Sequence, residues 1–215
     1  MNKNYKCIIF DCDGVLVDSE AISAKVFREM VSELGCNLDF ETVLEQITGT
    51  SMKENLKYFA ECVGADLPDN FEKEFRARTY EAFKTDLKPI PGVHELIDKI
   101  KVPIGVASSG PAAKIKLNLT TTGLIDKFGD NIFSCYDIES WKPEPDIYLH
   151  AAKQLGFSPE DCAVIEDSEP GVIAAIKGGF DVYVLVSETQ KNTFTDLGAT
   201  AFSNMEELGN LLKIY

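Results

Sequence analysis

No stretch of this 215-residue chain approaches the roughly 18 consecutive apolar residues of a membrane-spanning helix, so no such anchor is expected. The opening residues, Met1-Asn2-Lys3-Asn4-Tyr5-Lys6, run straight into a short apolar segment. They lack the longer apolar region and small-residue cleavage site of a secretory leader. The six cysteines (Cys7, Cys12, Cys36, Cys62, Cys135 and Cys162) include no C-x-x-C pair. That argues against zinc and against a disulfide framework, and leaves reduced thiols in a cytoplasmic protein as the expectation. The sequon Asn118-Leu119-Thr120 then carries little weight. Basic residues are also scarce. Lys and Arg number 21 against 35 Asp and Glu, for a formal net charge of −14. Such a surface repels nucleic acid and anionic lipid, so neither is an expected partner. It also repels anionic substrates, so any phosphate site must bring its own positive charge. Internal repeats and low-complexity segments are absent.

What is present fits one compact domain, or one domain with a small insert, and a monomer is expected. Four short apolar runs stand out: Cys7-Ile8-Ile9-Phe10, Val102 to Ala107, Cys162-Ala163-Val164-Ile165 and Val182 to Val186. Runs of this length, β-branched or aromatic in part, suit strands buried on both faces of a parallel sheet. Helical patterns lie between them at Glu95 to Lys101, Asp146 to Leu155 and Pro170 to Lys177. Pro143 and Pro145 precede the second, and Gly156 follows it. Strands alternating with helices argue an open α/β sheet, Rossmann-like, with helices on both faces.

Residues Ser19 to Lys84 read differently. Glu20 to Leu34, Asp39 to Gln46, Met52 to Val63 and Asn70 to Phe83 look helical, punctuated by Gly35, Gly49, Gly64 and Pro68. A helical block after the first strand reads as an inserted all-α cap. The expected division is residues 1–16 plus 86–215 for the core and 17–85 for the cap, with hinges around Leu16 to Ser19 and Thr85 to Lys88.

Three of the apolar runs end in polar residues: Asp11 after Phe10, Ser108-Ser109-Gly110-Pro111 after Ala107, and Glu166-Asp167-Ser168 after Ile165. In open α/β sheets, ligands bind outside the carboxyl ends of the strands. If these strands are neighbours, Asp11, Asp13, Ser108, Glu166 and Asp167 share one crevice. Carboxylates gathered there repel one another unless a cation joins them. Mg²⁺ is the favoured cation, because it binds through a few carboxylates plus waters and substrate phosphate. An EF-hand is excluded: counting from Asp11, the glycine is fourth and the twelfth residue is Ile22, not Glu. Cys12 reads as a packing residue, and His94 and His150, in helical patterns, as structural.

The run Phe10-Asp11-Cys12-Asp13-Gly14-Val15-Leu16-Val17-Asp18-Ser19-Glu20 resembles the first motif of the haloacid dehalogenase-like phosphatases. Ser108, Lys142 in Trp141-Lys142-Pro143, and Glu166-Asp167 resemble the second, third and fourth, in order along nearly the whole chain. The resemblance implies that Asp11 is the nucleophile and forms an aspartyl phosphate. It makes Asp13 the general acid and then base. Ser108, with Ser109 and Gly110, would bind the phosphoryl group, and Lys142 would neutralise the charge shared by phosphate and Asp11. Asp11, the Asp13 carbonyl, Asp167 and Glu166 would hold Mg²⁺. Family dehalogenases lack the second aspartate, so Asp13 implies phosphoryl chemistry.

The helical insert resembles the cap of the β-phosphoglucomutase-like branch, which holds mutases and phosphatases. The mutase's three basic residues fall here on Ser23, Thr48 and Met52, around Gly49, which implies simple hydrolysis. Phe133-Ser134-Cys135-Tyr136-Asp137-Ile138 ahead of Trp141-Lys142-Pro143 is similar to phosphatases of sugar-acid phosphates such as 6-phosphogluconate. Thr48 and Lys53, with Thr50 and Ser51, are the candidate substrate contacts in the cap; equally, these residues cap the helix at Met52. The expected activity is Mg²⁺-dependent hydrolysis of small phosphomonoesters. The alternatives are a phosphomutase and a non-catalytic protein that binds a phosphorylated ligand.

Overall fold

The computed structural model describes residues 4–48, 50–187 and 191–214. Met1-Asn2-Lys3 and Gly49, used above, lie outside the described residues. Six strands form one sheet: β1 (Cys7–Phe10), β2 (Ile104–Ser108), β3 (Ile132–Ser134), β4 (Cys162–Glu166), β5 (Asp181–Leu185) and β6 (Thr200–Phe202). Among the described residues, twelve α-helices accompany them. They are α1 (Glu20–Glu33), α2 (Phe40–Ile47), α3 (Met52–Val63), α4 (Phe71–Asp86), α5 (Val93–Lys99), α6 (Ala112–Thr121), α7 (Ile125–Phe128), α8 (Cys135–Ile138), α9 (Asp146–Leu155), α10 (Glu169–Lys177), α11 (Lys191–Asp196) and α12 (Met205–Leu211).

All pairings between these six strands are parallel, and the strand order is β3-β2-β1-β4-β5-β6. The strands β1 and β4 are buried along their full length. That is why both read as unbroken apolar runs: a central strand has no wet face on which to place polar residues. Their register sets Phe10 against Ile165, so Asp11 and Glu166 leave the sheet side by side. The order reverses between β1 and β4, and ligands of open α/β sheets bind at that reversal. The short strands β3 and β6, three residues each, carry only a single buried position apiece. A run of apolar residues is too small there to stand out, and neither was anticipated.

Helix ends follow local chemistry. The helix α9 stops at Gly156, whose left-handed φ of 86° a side chain would strain. At α10, Ser168 caps the helix by accepting from the Gly171 N–H, with Pro170 in the first turn, where its missing N–H costs nothing. Both helices pack on the sheet, and their buried faces (Ile147, Tyr148, Ala151, Val172, Ala175) join Ile9, Val164 and Val182 in one core.

Backbone contacts divide the chain into two compact units: Met1–Val17 with Pro89–Tyr215, and Asp18–Lys88. The second unit holds only helices among its described residues, α1 to α4. Its core centres on Phe27, with ring centroids 4.5 Å from Phe59, 5.5 Å from Phe71 and 4.6 Å from Phe75. None of the helices described is long and apolar enough to cross a membrane.

The expectation that all six cysteines are reduced is corrected here. Cys36 and Cys62 form a disulfide, with Cα atoms 5.6 Å apart, while Cys7, Cys12, Cys135 and Cys162 are free and buried. Cys36 follows α1 and Cys62 lies in the last turn of α3. Packing of Phe27 on Phe59 brings those two helices together, so the pairing arises in space across 26 residues and no local Cys spacing announces it. Cross-linking a loop of this size stabilises by about 3 kcal/mol, chiefly by restricting the unfolded chain. Thiol titration in denaturant without reductant should therefore find four reactive cysteines, and the Cys36→Ser/Cys62→Ser variant should melt several degrees below the parent.

Candidate active site

Asp11 follows β1 directly and is 7% exposed. Its backbone N–H still donates to Ile165 O at 2.8 Å, continuing the β1–β4 pairing one residue past the strand. The Asp11 side chain therefore sits above the middle of the sheet. Lys142 reaches it from the loop before α9: Nζ is 2.5 Å from Asp11 Oδ1 and 2.6 Å from Glu166 Oε1. The ammonium also lies 4.9 Å from the centroid of the Tyr148 ring, a further favourable contact for a buried cation.

Glu166 is fully buried. Its Oε1 accepts from Lys142 and from the Tyr148 hydroxyl at 2.5 Å; its Oε2 accepts from Asp167 N at 2.9 Å, Ser168 N at 3.0 Å and Ser168 Oγ at 2.9 Å. The space for this carboxylate exists because residue 171 is glycine: a Cβ there would lie 1.8 Å from Glu166 Oε1. Five donors on two oxygens leave this group turned toward Lys142 and its own helix N-terminus.

The charges respond accordingly. Burial opposes ionisation of Glu166, but the Lys142 charge and the surrounding donors outweigh it and lower its pKa. Burial likewise opposes a charged Lys142, but Asp11 and Glu166 together hold it well above its ordinary value. Asp11 receives the poorer share of that one cation. Burial raises its pKa, Lys142 lowers it, and the neighbouring Glu166 and Asp13 raise it again, to about 7.

Asp13 lies at the start of the turn that carries Gly14, which has a left-handed φ of 75°. Its carboxylate is bound by Lys114 Nζ on Oδ2 at 2.8 Å and by Asn118 Nδ2 on Oδ1 at 3.2 Å, both from α6. Gly14 is needed for a second reason: a Cβ there would meet Asp167 Oδ2 at 1.8 Å. The Asp167 carboxylate is thus packed against the backbone carrying the Asp13 carbonyl. Ser108, at the end of β2, is buried, and its Oγ accepts from Gly110 N at 3.1 Å. Ser134, on β3, donates to Gly110 O at 2.7 Å and fixes that loop from the next strand. Ser109 Oγ lies 4.0 Å from Cys135 Sγ. Pro111 then sits at the N-cap of α6.

Asp11, Asp13, Ser108, Ser109, Gly110, Lys142, Glu166 and Asp167 all belong to the α/β unit. Thr48 and Lys53 belong to the helical unit. There, Thr48 Oγ1 donates to Glu20 Oε2 at 3.4 Å and Lys53 is exposed. Thr50 Oγ1 lies 2.6 Å from Gln46 O, and Ser51 caps α3 in a reciprocal capping box with Glu54. His94 Nε2 lies 2.9 Å from Thr122 O, and His150 packs edge-on to Phe133. Burial pushes the Cys12 thiol well above its ordinary value.

Among the described residues, no three His, Cys, Asp or Glu side chains are gathered to hold a metal ion. The suggested donors nevertheless fit Mg²⁺. With Glu166 engaged elsewhere, they reduce to the Asp11 and Asp167 carboxylates and the Asp13 carbonyl. A few hard oxygens suit an ion that keeps several waters and binds substrate phosphate. Four carboxylates (Asp11, Asp13, Glu166, Asp167) against two ammonium groups (Lys114, Lys142) also leave a local deficit of about two positive charges, which a dication removes.

A haloacid dehalogenase-like hydrolase profile matches residues 5–179. The chain belongs to the haloacid dehalogenase-like hydrolase family. It is 31% identical over 209 residues to the 6-phosphogluconate phosphatase of Escherichia coli, covering 97% of this chain and 95% of that one. It is 33% identical over 204 residues to the β-phosphoglucomutase of Bacillus subtilis, covering 89% and 88%. A Deinococcus radiodurans family hydrolase solved with bound phosphate and sodium superposes with a TM-score of 0.83 at 29% identity, covering 98% of this chain and 96% of that one.

Four contributors to this site escaped the sequence reading: Lys114, Asn118, Tyr148 and Gly171. Lys114 and Asn118 stand four apart on one helix face, a spacing that aligns side chains, and they interrupt the apolar pattern of Ile115 and Leu119. That was the available signal. Tyr148 and Gly171 look like ordinary helix residues until Glu166 is placed between them.

A carboxylate whose folded pKa is raised weakens the fold once it ionises. The penalty is absent below the ordinary carboxylate range, grows as pH rises, and is complete above about 7 for Asp11. Asp11→Asn removes it. The substitution also takes one partner from the buried Lys142 at every pH. In chelator, the melting temperature of the variant relative to the parent should therefore rise from pH 4 to pH 8, by about 2–4 °C for each kcal/mol relieved, and Mg²⁺ at pH 8 should offset part of that rise by stabilising the parent.

Proposed function

We propose that this protein is a phosphatase hydrolysing small phosphomonoesters, sugar or sugar-acid phosphates, through an aspartyl phosphate on Asp11. The observation carrying the proposal is the pair Asp11 and Asp13 beyond the central strand, Asp11 bound by the shared Lys142 at 2.5 Å and Asp13 by Lys114 at 2.8 Å. One carboxylate serves as nucleophile, the other as proton carrier.

In the first half-reaction an Asp11 oxygen bonds to phosphorus, the ester P–O bond breaks, and the departing alcohol takes a proton from Asp13. In the second, water attacks phosphorus and gives a proton to Asp13; the P–O bond to Asp11 breaks, freeing phosphate and the carboxylate. Lys142 faces the Asp11 oxygen throughout and offsets the charge on the transferring group. Asp11, Asp167 and the Asp13 carbonyl would hold Mg²⁺, which supplies further positive charge beside the phosphoryl oxygens. Glu166, gripped by five donors, serves by holding Lys142. Ser108 and its loop receive the phosphoryl group beside the N-terminus of α6.

The 6-phosphogluconate phosphatase relative supports sugar-acid phosphates as the substrate class. The β-phosphoglucomutase relative supports a second reading, a phosphomutase. The mutase's basic residues are replaced here by Ser23, Thr48 and Met52, which leaves a bisphosphate intermediate without its expected grip.

Purified protein with Mg²⁺ should hydrolyse 4-nitrophenyl phosphate, and Asp11→Asn should lower kcat by about a thousandfold or more. An unchanged rate in that variant overturns the mechanism. Glucose 1-phosphate should yield free phosphate; conversion to glucose 6-phosphate would establish the mutase instead.

A further inference from the structure

The two donors on Asp13 have no role in the mechanism above. They lie on the helix that follows the phosphate loop: Lys114 in the first turn of α6, Asn118 one turn later on the same face. Between them they occupy both oxygens of the carboxylate, Oδ2 at 2.8 Å and Oδ1 at 3.2 Å. Asn118 is fully buried, so its amide is held among fixed neighbours, the Cys12 thiol and the Asp13 carboxylate, rather than exposed to solvent. The Lys114 stem passes directly over the phosphate loop: a Cβ on Gly110 would lie 3.4 Å from Lys114 Cδ, 3.5 Å from Ser108 Oγ and 3.9 Å from Asp13 Oδ2.

We propose that Lys114 and Asn118 are positioning residues that hold the Asp13 carboxyl group in the orientation needed for proton delivery to the leaving oxygen. This rests on the phosphatase reading. In the step concerned, the bond from Asp11 oxygen to phosphorus forms, the bond from phosphorus to the ester oxygen breaks, and that oxygen leaves carrying the Asp13 proton. Proton transfer demands a donor within about 2.6–3.2 Å of its target, and a short side chain on a turn meets that demand only when its rotamer is fixed beforehand. Two donors on α6 fix it from the element that also frames the phosphoryl group. Lys114 thereby ties the acid to the phosphate loop.

The test uses leaving groups of different acidity. Nitrophenolate departs without a proton, whereas phenolate gains from one. The kcat/KM value covers the steps up to leaving-group departure. For Lys114→Met it should fall about tenfold or more on phenyl phosphate, and about threefold or less on 4-nitrophenyl phosphate. Asp13→Asn/Lys114→Met should be no slower on phenyl phosphate than Asp13→Asn alone, since a positioning residue has nothing left to position. Equal losses on both esters, or a further multiplicative loss in the double variant, would overturn the assignment and leave the phosphatase reading standing. Failure of the parent enzyme to hydrolyse either ester would overturn both.

Discussion

One buried cation organises the α/β unit. The Lys142 ammonium lies between Asp11 and Glu166, at 2.5 and 2.6 Å, with almost no access to water. A charge taken out of water is costly unless partners replace its hydration, and removing one partner of such a group is far worse than removing the group whole. Much of the surrounding structure supplies those partners. Tyr148, the Asp167 and Ser168 amides and the Ser168 hydroxyl hold Glu166 ionised. Gly171 leaves the space it fills. Ser168 also caps α10, so the helix that buttresses β5 begins at the group that fixes the lysine.

That arrangement leaves Asp11 under-compensated. A single cation shared between two carboxylates favours the one with more donors, and Asp11 is pushed to about 7 by burial. A site built with this imbalance suits a second source of positive charge, which the proposed Mg²⁺, held by the Asp11 and Asp167 carboxylates, would supply. The whole chain carries a net charge of −14, so an anionic substrate is attracted by these few local cations rather than by the surface.

The parts of the fold legible in the sequence were those where burial is uniform. The strands β1 and β4 are buried throughout and read correctly as apolar runs; α3 and α9 match their expected bounds because caps, prolines and glycines mark both ends. The strands β3 and β6 were missed because three half-covered residues have no period. At the site, Asp11, Ser108 and Glu166 were legible as polar residues at the ends of apolar runs, while the adjacency of β2, β1 and β4 that gathers them is a property of the fold. Lys114, Asn118, Tyr148 and Gly171 were not, because each acts through a neighbour distant in sequence. The Cys36–Cys62 disulfide failed for the same reason: its spacing follows helix packing, which no local pattern encodes.

In the proposed mechanism Asp11 receives the phosphoryl group. Asp13→Asn retains the nucleophile but lacks the base that completes turnover, so it should accumulate the intermediate. Quenching this variant in acid after one equivalent of nitrophenol has been released from 4-nitrophenyl phosphate, followed by mass spectrometry of its peptides, gives the most direct reading. Phosphate on Asp11 is the predicted result. Phosphate on another residue, or an unmodified Asp11 despite stoichiometric release of nitrophenol, would contradict the account.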